Sequence, residues 1–198
     1  MTNNTPQHVR FLFDPACPWA WRASHWIRHA ARVRSIAIHW GVLSLAYLNR
    51  DTVDDQMRSR AAARQPALRV LLHVQQHAGN DALDRLYWAL GNAEHRHHQS
   101  LGEMSTLRDA LLAAELDPNV IAAADNAAYD DQITAQSAGA QQAGAIGVPT
   151  LFINDNPAAY FGPVIDQVPD GEEAGELWDH VLWMADHPYL YELKRSRS

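Results

Sequence analysis

The order of strand-type and helix-type patterns is the feature that most constrains this chain. Residues 9–14, Val-Arg-Phe-Leu-Phe-Asp, place apolar side chains on both sides of an extended segment, which predicts a strand buried on both faces. Apolar residues then recur at helical spacing to about Arg32, which predicts a helix that begins at Cys17 or Pro18. Residues 36–42 alternate, which predicts a second strand. Because a helical crossover joins the two strands, we expect them to be parallel.

The middle of the chain, residues 49–144, shows no alternation of the strand type. Its apolar residues fall at helical steps, and turn-forming residues near 79–80, 91–92 and 117–118 predict breaks between helices. We therefore expect four or five helices in this stretch.

The C-terminal part returns to strand patterns. Residues 150–153 and 159–161 flank a segment of Asn, Asp and Pro, which predicts a hairpin. Asp170, with Glu173 three residues later, predicts a capping box at the start of a last helix.

Together these patterns predict an α/β chain with a thioredoxin-like fold, in which a helical subdomain separates β-α-β and α-β-β-α halves. Residues 1–48 and 145–198 are expected to form the core. Residues 49–144 are expected to form the inserted subdomain, including the helix that leads back to the core.

Composition limits the function classes. The 198 residues carry a formal net charge of −7 with no basic stripe, so nucleic acid is not an expected partner. No apolar run is long enough for a membrane span, and the N-terminus lacks the pattern of a secretory signal. A cytoplasmic location is therefore expected. No phosphate-binding glycine loop follows a strand, so no tightly bound NAD or ATP is expected.

Cys17 is the single cysteine, which excludes a disulfide within the chain and a multi-cysteine zinc site. Pro18 suits the first position of a helix, so Cys17 is expected to be the N-cap. There the sulfur can accept hydrogen bonds from amides near Trp19 and Ala20 and faces the positive end of the helix dipole. Both effects favour a nucleophilic thiolate. The alternative is that Cys17 is a small buried apolar residue.

A second signal is the run Gly-Val-Pro-Thr at residues 147–150. Proline is ordinary at the first residue of a strand. The functional interpretation is a cis Val148-Pro149 bond beside Cys17, which would leave the backbone of Val148 available to a ligand. The spacing alone leaves both interpretations open.

The segment from Phe13 to Trp21, Phe-Asp-Pro-Ala-Cys-Pro-Trp-Ala-Trp, resembles the active site of DsbA-like thioredoxin-fold oxidoreductases. Over nearly its whole length the chain looks like the mycothiol-dependent nitroreductases of actinobacteria. Kappa-class glutathione transferases and 2-hydroxychromene-2-carboxylate isomerases share this architecture with different active-site residues. Further stretches that support the resemblance are residues 43–49, 148–150, 161–164, 169–178 and 192–195.

The resemblance implies a cytosolic, homodimeric enzyme in which the Cys17 thiolate reacts with or near a low-molecular-weight thiol. Mycothiol would be a co-substrate, with no tightly bound cofactor and no metal. Pro149 would be the cis proline beside Cys17. The residues expected to bind the thiol or the substrate are Pro18, Trp19, Ala20, Asn49, Val148 and Pro149.

One residue departs from the pattern of the dithiol members. Ala20 stands where they have a second cysteine, so dithiol disulfide exchange is excluded and an external thiol must release any adduct on Cys17. The leading hypothesis is reduction or conjugation of small electrophiles such as nitroaromatics or mixed disulfides. The alternatives are a non-catalytic thioredoxin-fold binding module and a thiol-dependent isomerase or transferase of the kappa type.

Several histidines are candidate metal ligands. His25 with His29, and His73 with His77, have the four-residue spacing of a ligand pair on a helix. Because neither pair has a convincing third ligand, no metal site is expected. The polar run at residues 95–98 is expected to be a solvated turn between helices.

Overall fold

The structure is a computed structural model that describes residues 6–196. The strands are β1 (Gln7–Phe13), β2 (Ile36–Val42), β3 (Thr150–Ile153) and β4 (Tyr160–Phe161). The helices are α1 (Pro18–Val33), α2 (Leu45–Leu48), α3 (Asp55–Ala63), α4 (Gln65–His77), α5 (Asn80–His95), α6 (Met104–Ala113), α7 (Ala128–Gln142) and α8 (Gly171–Ala185), with a 3-10 helix at Pro118–Asp125. Residues 1–5, part of the segment that argued against a secretory signal, lie outside the described residues.

The four strands form one mixed sheet in the order β2-β1-β3-β4. β1 runs parallel to β2, with Phe11 opposite Trp40, which confirms the predicted crossover. β1 and β3 are antiparallel, as are β3 and β4, so the predicted hairpin is also confirmed. β1 lies between two strands, and its C-terminal half from Phe11 to Phe13 is buried, as its run of apolar residues predicts.

Helix α1 follows the C-terminal end of β1 and packs along α8. Helices α4, α5 and α7 contact β2. Small residues on the buried face of α1, among them Ala23 and Ala30, allow close approach. Trp26 is fully buried there, and its indole N–H donates to the Ala174 carbonyl of α8 at 3.1 Å. Packing against α8 and the sheet therefore fixes the position of α1.

Helices α3 to α7 and the 3-10 helix all lie between β2 and β3 in the chain, in the stretch where the sequence predicts helices. Their separation from the core as a subdomain stays a prediction. Within residues 6–196, no helix is both long and apolar enough to cross a membrane.

The predicted helix break at residues 91–92 is wrong, because α5 continues through Gly91 to His95. A Cβ at residue 91 would lie 2.3 Å from the ring of Trp21 on α1. Gly91 therefore serves the close approach of α5 to α1 and does not end the helix. Tertiary packing outweighs the low helix propensity of glycine at this position.

The predicted capping box at the start of α8 is wrong in its contacts. Asp170 is the N-cap, but its side chain makes no capping hydrogen bond. Gly171 enters the helix with a φ of +52°, a left-handed conformation that a standard N-terminal turn does not have.

Candidate functional site

Cys17 is the N-cap residue of α1, as the sequence predicts. Its φ of −86° and ψ of 113° are extended, and Pro18 follows at the first helical position. The turn between β1 and α1 is closed by the Cys17 N–H, which donates to the Asp14 carbonyl at 3.0 Å. A short, hydrogen-bonded turn therefore joins the buried strand to the residue of interest.

Two backbone groups contact the Cys17 sulfur, which belongs to a residue only 6% exposed. The Ala20 N–H donates to Sγ at 3.4 Å, and this contact favours the thiolate. On the other side, the Cys17 S–H donates to the Val148 carbonyl oxygen at 3.6 Å, which favours the thiol. These two contacts therefore favour opposite protonation states of the sulfur.

The Val148 carbonyl belongs to the segment that leads into β3. The Val148–Pro149 peptide bond is cis, and both residues are buried. The Thr150 hydroxyl donates to the Gly147 carbonyl at 2.7 Å, which ties the two ends of this segment together. Residues 131 positions apart in the chain thus meet at the Cys17 sulfur.

The remaining candidates divide into two groups. Pro18, Trp19 and Ala20 form the first turn of α1 with Cys17; Trp19 is half-buried, and the guanidinium carbon of Arg22 lies 5.0 Å from the centre of its ring. Asn49 is exposed at the C-terminal end of α2, where its N–H donates to the Leu45 carbonyl at 3.0 Å. Asn49 therefore belongs to a neighbouring segment and not to the Cys17 turn.

Asp14 is a residue of this site that the sequence reasoning missed. It is 6% exposed, and its carboxylate accepts the N–H of Ala16 and the N–H of Leu45, both at 2.9 Å. Burial raises the pKa of this carboxyl, and the two N–H groups partly offset the rise. The available signal was an acidic residue directly after a strand that is buried on both faces.

His95 corrects the expectation of a solvated turn. It is the last residue of α5, and its Nε2–H donates to the Pro15 carbonyl at 2.9 Å. Its ring stacks on Trp21, and burial lowers its pKa. His97 and His98 are exposed as expected. Through His95, the C-terminal end of α5 is therefore hydrogen-bonded to the turn that precedes Cys17.

The histidine pairs have contacts of other kinds. His25 packs edge-on against Trp21, and His29 Nδ1 lies 3.1 Å from the Pro169 carbonyl. His73 Nδ1 forms a hydrogen bond with the Tyr129 hydroxyl at 2.7 Å. Both residues line a cavity of about 390 Å³ beside the 3-10 helix. Within the described part of the chain, no three His, Cys, Asp or Glu side chains are grouped to hold a metal ion.

A family model described as "Mycothiol-dependent nitroreductase Rv2466c" matches residues 16–195. The chain belongs to this Rv2466c-like family. The match begins one residue before Cys17 and includes the Val148–Pro149 segment and α8. An uncharacterized protein of Mycobacterium tuberculosis, Rv2286c, is 31% identical over 191 residues, which cover 96% of this chain and 82% of that protein.

Two solved structures show the fold of this Rv2466c-like protein. A probable DsbA oxidoreductase, SCO1869 from Streptomyces coelicolor, superposes with a TM-score of 0.62 at 17% identity, over 96% of this chain and 94% of that one. A 2-hydroxychromene-2-carboxylate isomerase superposes with a TM-score of 0.63 at 14% identity, over 90% of this chain and 95% of that one. The thioredoxin-like, DsbA-type fold with its helical insertion is therefore confirmed.

Proposed function

We propose that this protein is a monothiol oxidoreductase that uses a small thiol, mycothiol, to reduce or conjugate small electrophiles. Family membership supports thiol-dependent oxidoreductase chemistry in general. The observation that carries the proposal is the placement of Cys17, whose sulfur lies at a helix N-terminus with the Ala20 N–H directed at it.

The proposed reaction with a mixed disulfide has two exchanges. The Cys17 thiolate bonds to one sulfur of the substrate disulfide, and the other sulfur leaves as a thiolate. A small thiol, as its thiolate, then bonds to the substrate sulfur that Cys17 holds, and Cys17 leaves as a thiolate. The proton lost by the small thiol ends on the thiolate released in the first exchange. One thiol has been exchanged for another across a disulfide, and Cys17 ends as it began.

Reduction of a nitroaromatic needs electrons from two thiols. Conversion of a nitro group to a nitroso group takes up two electrons and two protons, releases water and oxidises two thiols to one disulfide. Cys17 would carry the first sulfur of that disulfide and be displaced by the second. Ala20 cannot displace it, because its side chain has no sulfur.

The residues around Cys17 suggest how a thiol ligand would be held. Trp19 offers an aromatic surface at the start of α1, and the Val148 carbonyl, followed by Pro149, lies on the other side of the sulfur. Asn49 would contact the ligand from the end of α2. We also propose a cytoplasmic, homodimeric protein, as the resemblance implies.

The test is intact-mass spectrometry after brief exposure to the disulfides of mycothiol and, separately, of glutathione, from about pH 5 to about pH 8. We expect a rapid adduct on Cys17 that forms faster with mycothiol disulfide. Slow labelling that rises only near the ordinary cysteine pKa of about 8.5 would refute an activated thiol.

Turnover separates the proposal from its alternatives. With mycothiol and a nitroaromatic, we expect thiol consumption that is lost in Cys17→Ser. Adduct formation without turnover would indicate a binding module instead. Isomerisation that needs mycothiol but consumes none would indicate kappa-type chemistry.

A further inference from the structure

The Asp14 carboxylate joins two segments that are distant in the chain. One oxygen accepts the N–H of Ala16 in the Cys17 turn, and the other accepts the N–H of Leu45 at the start of α2. A buried carboxylate that accepts backbone N–H groups on both oxygens fixes both backbones relative to each other. The position of α2 and the position of the Cys17 turn are therefore linked through one side chain.

Helix α2 is short and carries a predicted ligand residue. The N–H of its N-cap residue, Ser44, donates to the Ser137 hydroxyl of α7 at 3.2 Å and joins the start of α2 to α7. Asn49 closes the helix, with its N–H on the Leu45 carbonyl. A ligand that moves Asn49 therefore acts on the residue whose N–H binds Asp14.

Charge at Asp14 also bears on Cys17. Arg64, at the junction of α3 and α4, and Glu94 of α5 face Asp14 with opposite charges and are paired with each other at 2.6 Å. Burial raises the pKa of the Tyr87 hydroxyl on α5, and negative charge on Cys17 or Asp14 raises it further. Where Asp14 is ionised, its carboxylate repels a thiolate at Cys17, which lies three residues along the same turn.

We propose that Asp14 is a positioning residue that couples the α2 segment to the reactivity of Cys17. When the Leu45 N–H binds the carboxylate, it partly neutralises the anion and holds the Cys17 turn in place. Without this N–H, the anion is less neutralised and opposes the thiolate more strongly. The inference rests on the proposed role of Cys17 as the reactive thiol and adds a way in which its reactivity is regulated.

The test is the pH dependence of Cys17 alkylation by iodoacetamide, followed by intact mass. Asp14→Asn removes the charge, so we expect the midpoint of the pH profile to fall by about half a pH unit or more. Leu45→Pro removes the N–H that binds Asp14, together with the leucine side chain, so we expect the midpoint to rise by a similar amount. Proline suits the first position of α2, because Ser44 before it is extended, with a ψ of 116°.

Two matched controls isolate these effects. Leu45→Ala keeps the N–H while it removes the side chain, and Asp117→Asn removes a carboxylate that caps a turn elsewhere, at the start of the 3-10 helix. Both are expected to keep the wild-type midpoint.

Opposite shifts in the two test variants would support the coupling. Shifts in the same direction would indicate general loosening of the turn and overturn the proposal, as would an unchanged midpoint in either variant. If Asp14→Asn does not fold, the comparison of Leu45→Pro with Leu45→Ala decides alone. Alkylation needs no mycothiol, so it tests the coupling even if the proposed turnover fails.

Discussion

The two ends of helix α1 are held in different ways. At the N-terminal end, Cys17 lies in a turn fixed by the buried Asp14 carboxylate, the half-buried His95 ring and the Val148 carbonyl. At the C-terminal end, Arg34 caps the helix on the surface and binds two carboxylates of α8. The Arg34 guanidinium lies 2.8 Å from Asp179 and 2.6 Å from Glu172.

The difference separates anchoring from chemistry. Exposed ion pairs at the C-terminal end are weak and screened by salt, so Trp26 and its neighbours supply most of the anchoring of α1 on α8. At the N-terminal end, titratable groups are desolvated and their pKa values are shifted, as those of Asp14 and His95 are. Groups of this kind are concentrated at functional sites.

The largest expected effect is at the anchor. Trp26→Ala removes a fully buried indole and leaves the Ala174 carbonyl without its donor, so we expect a loss of about 3–5 kcal/mol in the free energy of unfolding. Chemical denaturation would measure it. Trp183→Ala on α8, where the side chain is 57% exposed, should cost less than about 0.5 kcal/mol. Equal losses in the two variants would contradict this account of the anchor.

A smaller loss is expected between α5 and the N-terminal end. Gly91→Ala forces the Trp21 ring to move, so we expect a loss of about 1–3 kcal/mol in the free energy of unfolding. We also expect a changed rate of Cys17 alkylation, because the backbone N–H of Trp21 donates to the Cys17 carbonyl. Gly139→Ala in α7 meets no atom within 4 Å and should instead stabilise by up to about 1 kcal/mol. A stabilising Gly91→Ala would show that α5 and α1 can separate without cost.

The pH dependence of stability sharpens the comparison further. Burial lowers the pKa of His25, which packs on Trp21, to about 4, whereas the unfolded chain binds this proton near pH 6.5. Stability from His25 is therefore present above pH 6.5 and is lost as the pH falls toward about 4. His25→Gln should flatten this decline in denaturation experiments at several pH values, whereas His97→Gln, at an exposed position, should leave it unchanged. Asp14, whose pKa is raised by burial, contributes stability that is present at low pH and is lost as the pH rises.

The smallest effect is expected at the exposed end of α1. Arg34 lowers the pKa of Glu172, so the stability that this contact contributes is present above the ordinary pKa of 4.5 and is lost as the pH falls through the lowered value. Arg34→Met should therefore differ slightly from the wild type at neutral pH and low salt. The difference should vanish in high salt and in acid. A salt-independent difference would indicate that packing of Arg34 over Gly175 matters more than its charge.

The sequence predicts most of the fold because periodicity is a local property. The run of apolar residues in β1 and the N-cap position of Cys17 are determined within a few residues. The prediction of a helix break at Gly91 is wrong because the reason for glycine there is the ring of Trp21, which lies 70 positions away in the chain.

The site shows the same limit. The pairing of Cys17 with Val148 was expected from a family resemblance and not from spacing, since the two residues lie 131 positions apart. Asp14 was missed because its second partner, the Leu45 N–H, is a backbone group and has no sequence signature. The sequence does not distinguish His95 from a surface residue, because the polar residues 96–98 that follow it are exposed while its own ring bonds the Pro15 carbonyl.

Alanine at position 20 has a consequence for timing. In a dithiol protein, the second sulfur makes release of an adduct a unimolecular event whose rate the protein itself sets. This chain has one cysteine, so under the proposed chemistry the lifetime of an adduct on Cys17 would scale inversely with the concentration of the external thiol. The fraction of molecules that carry an adduct would then report on the surrounding thiol pool, measurable as a single mass shift per chain.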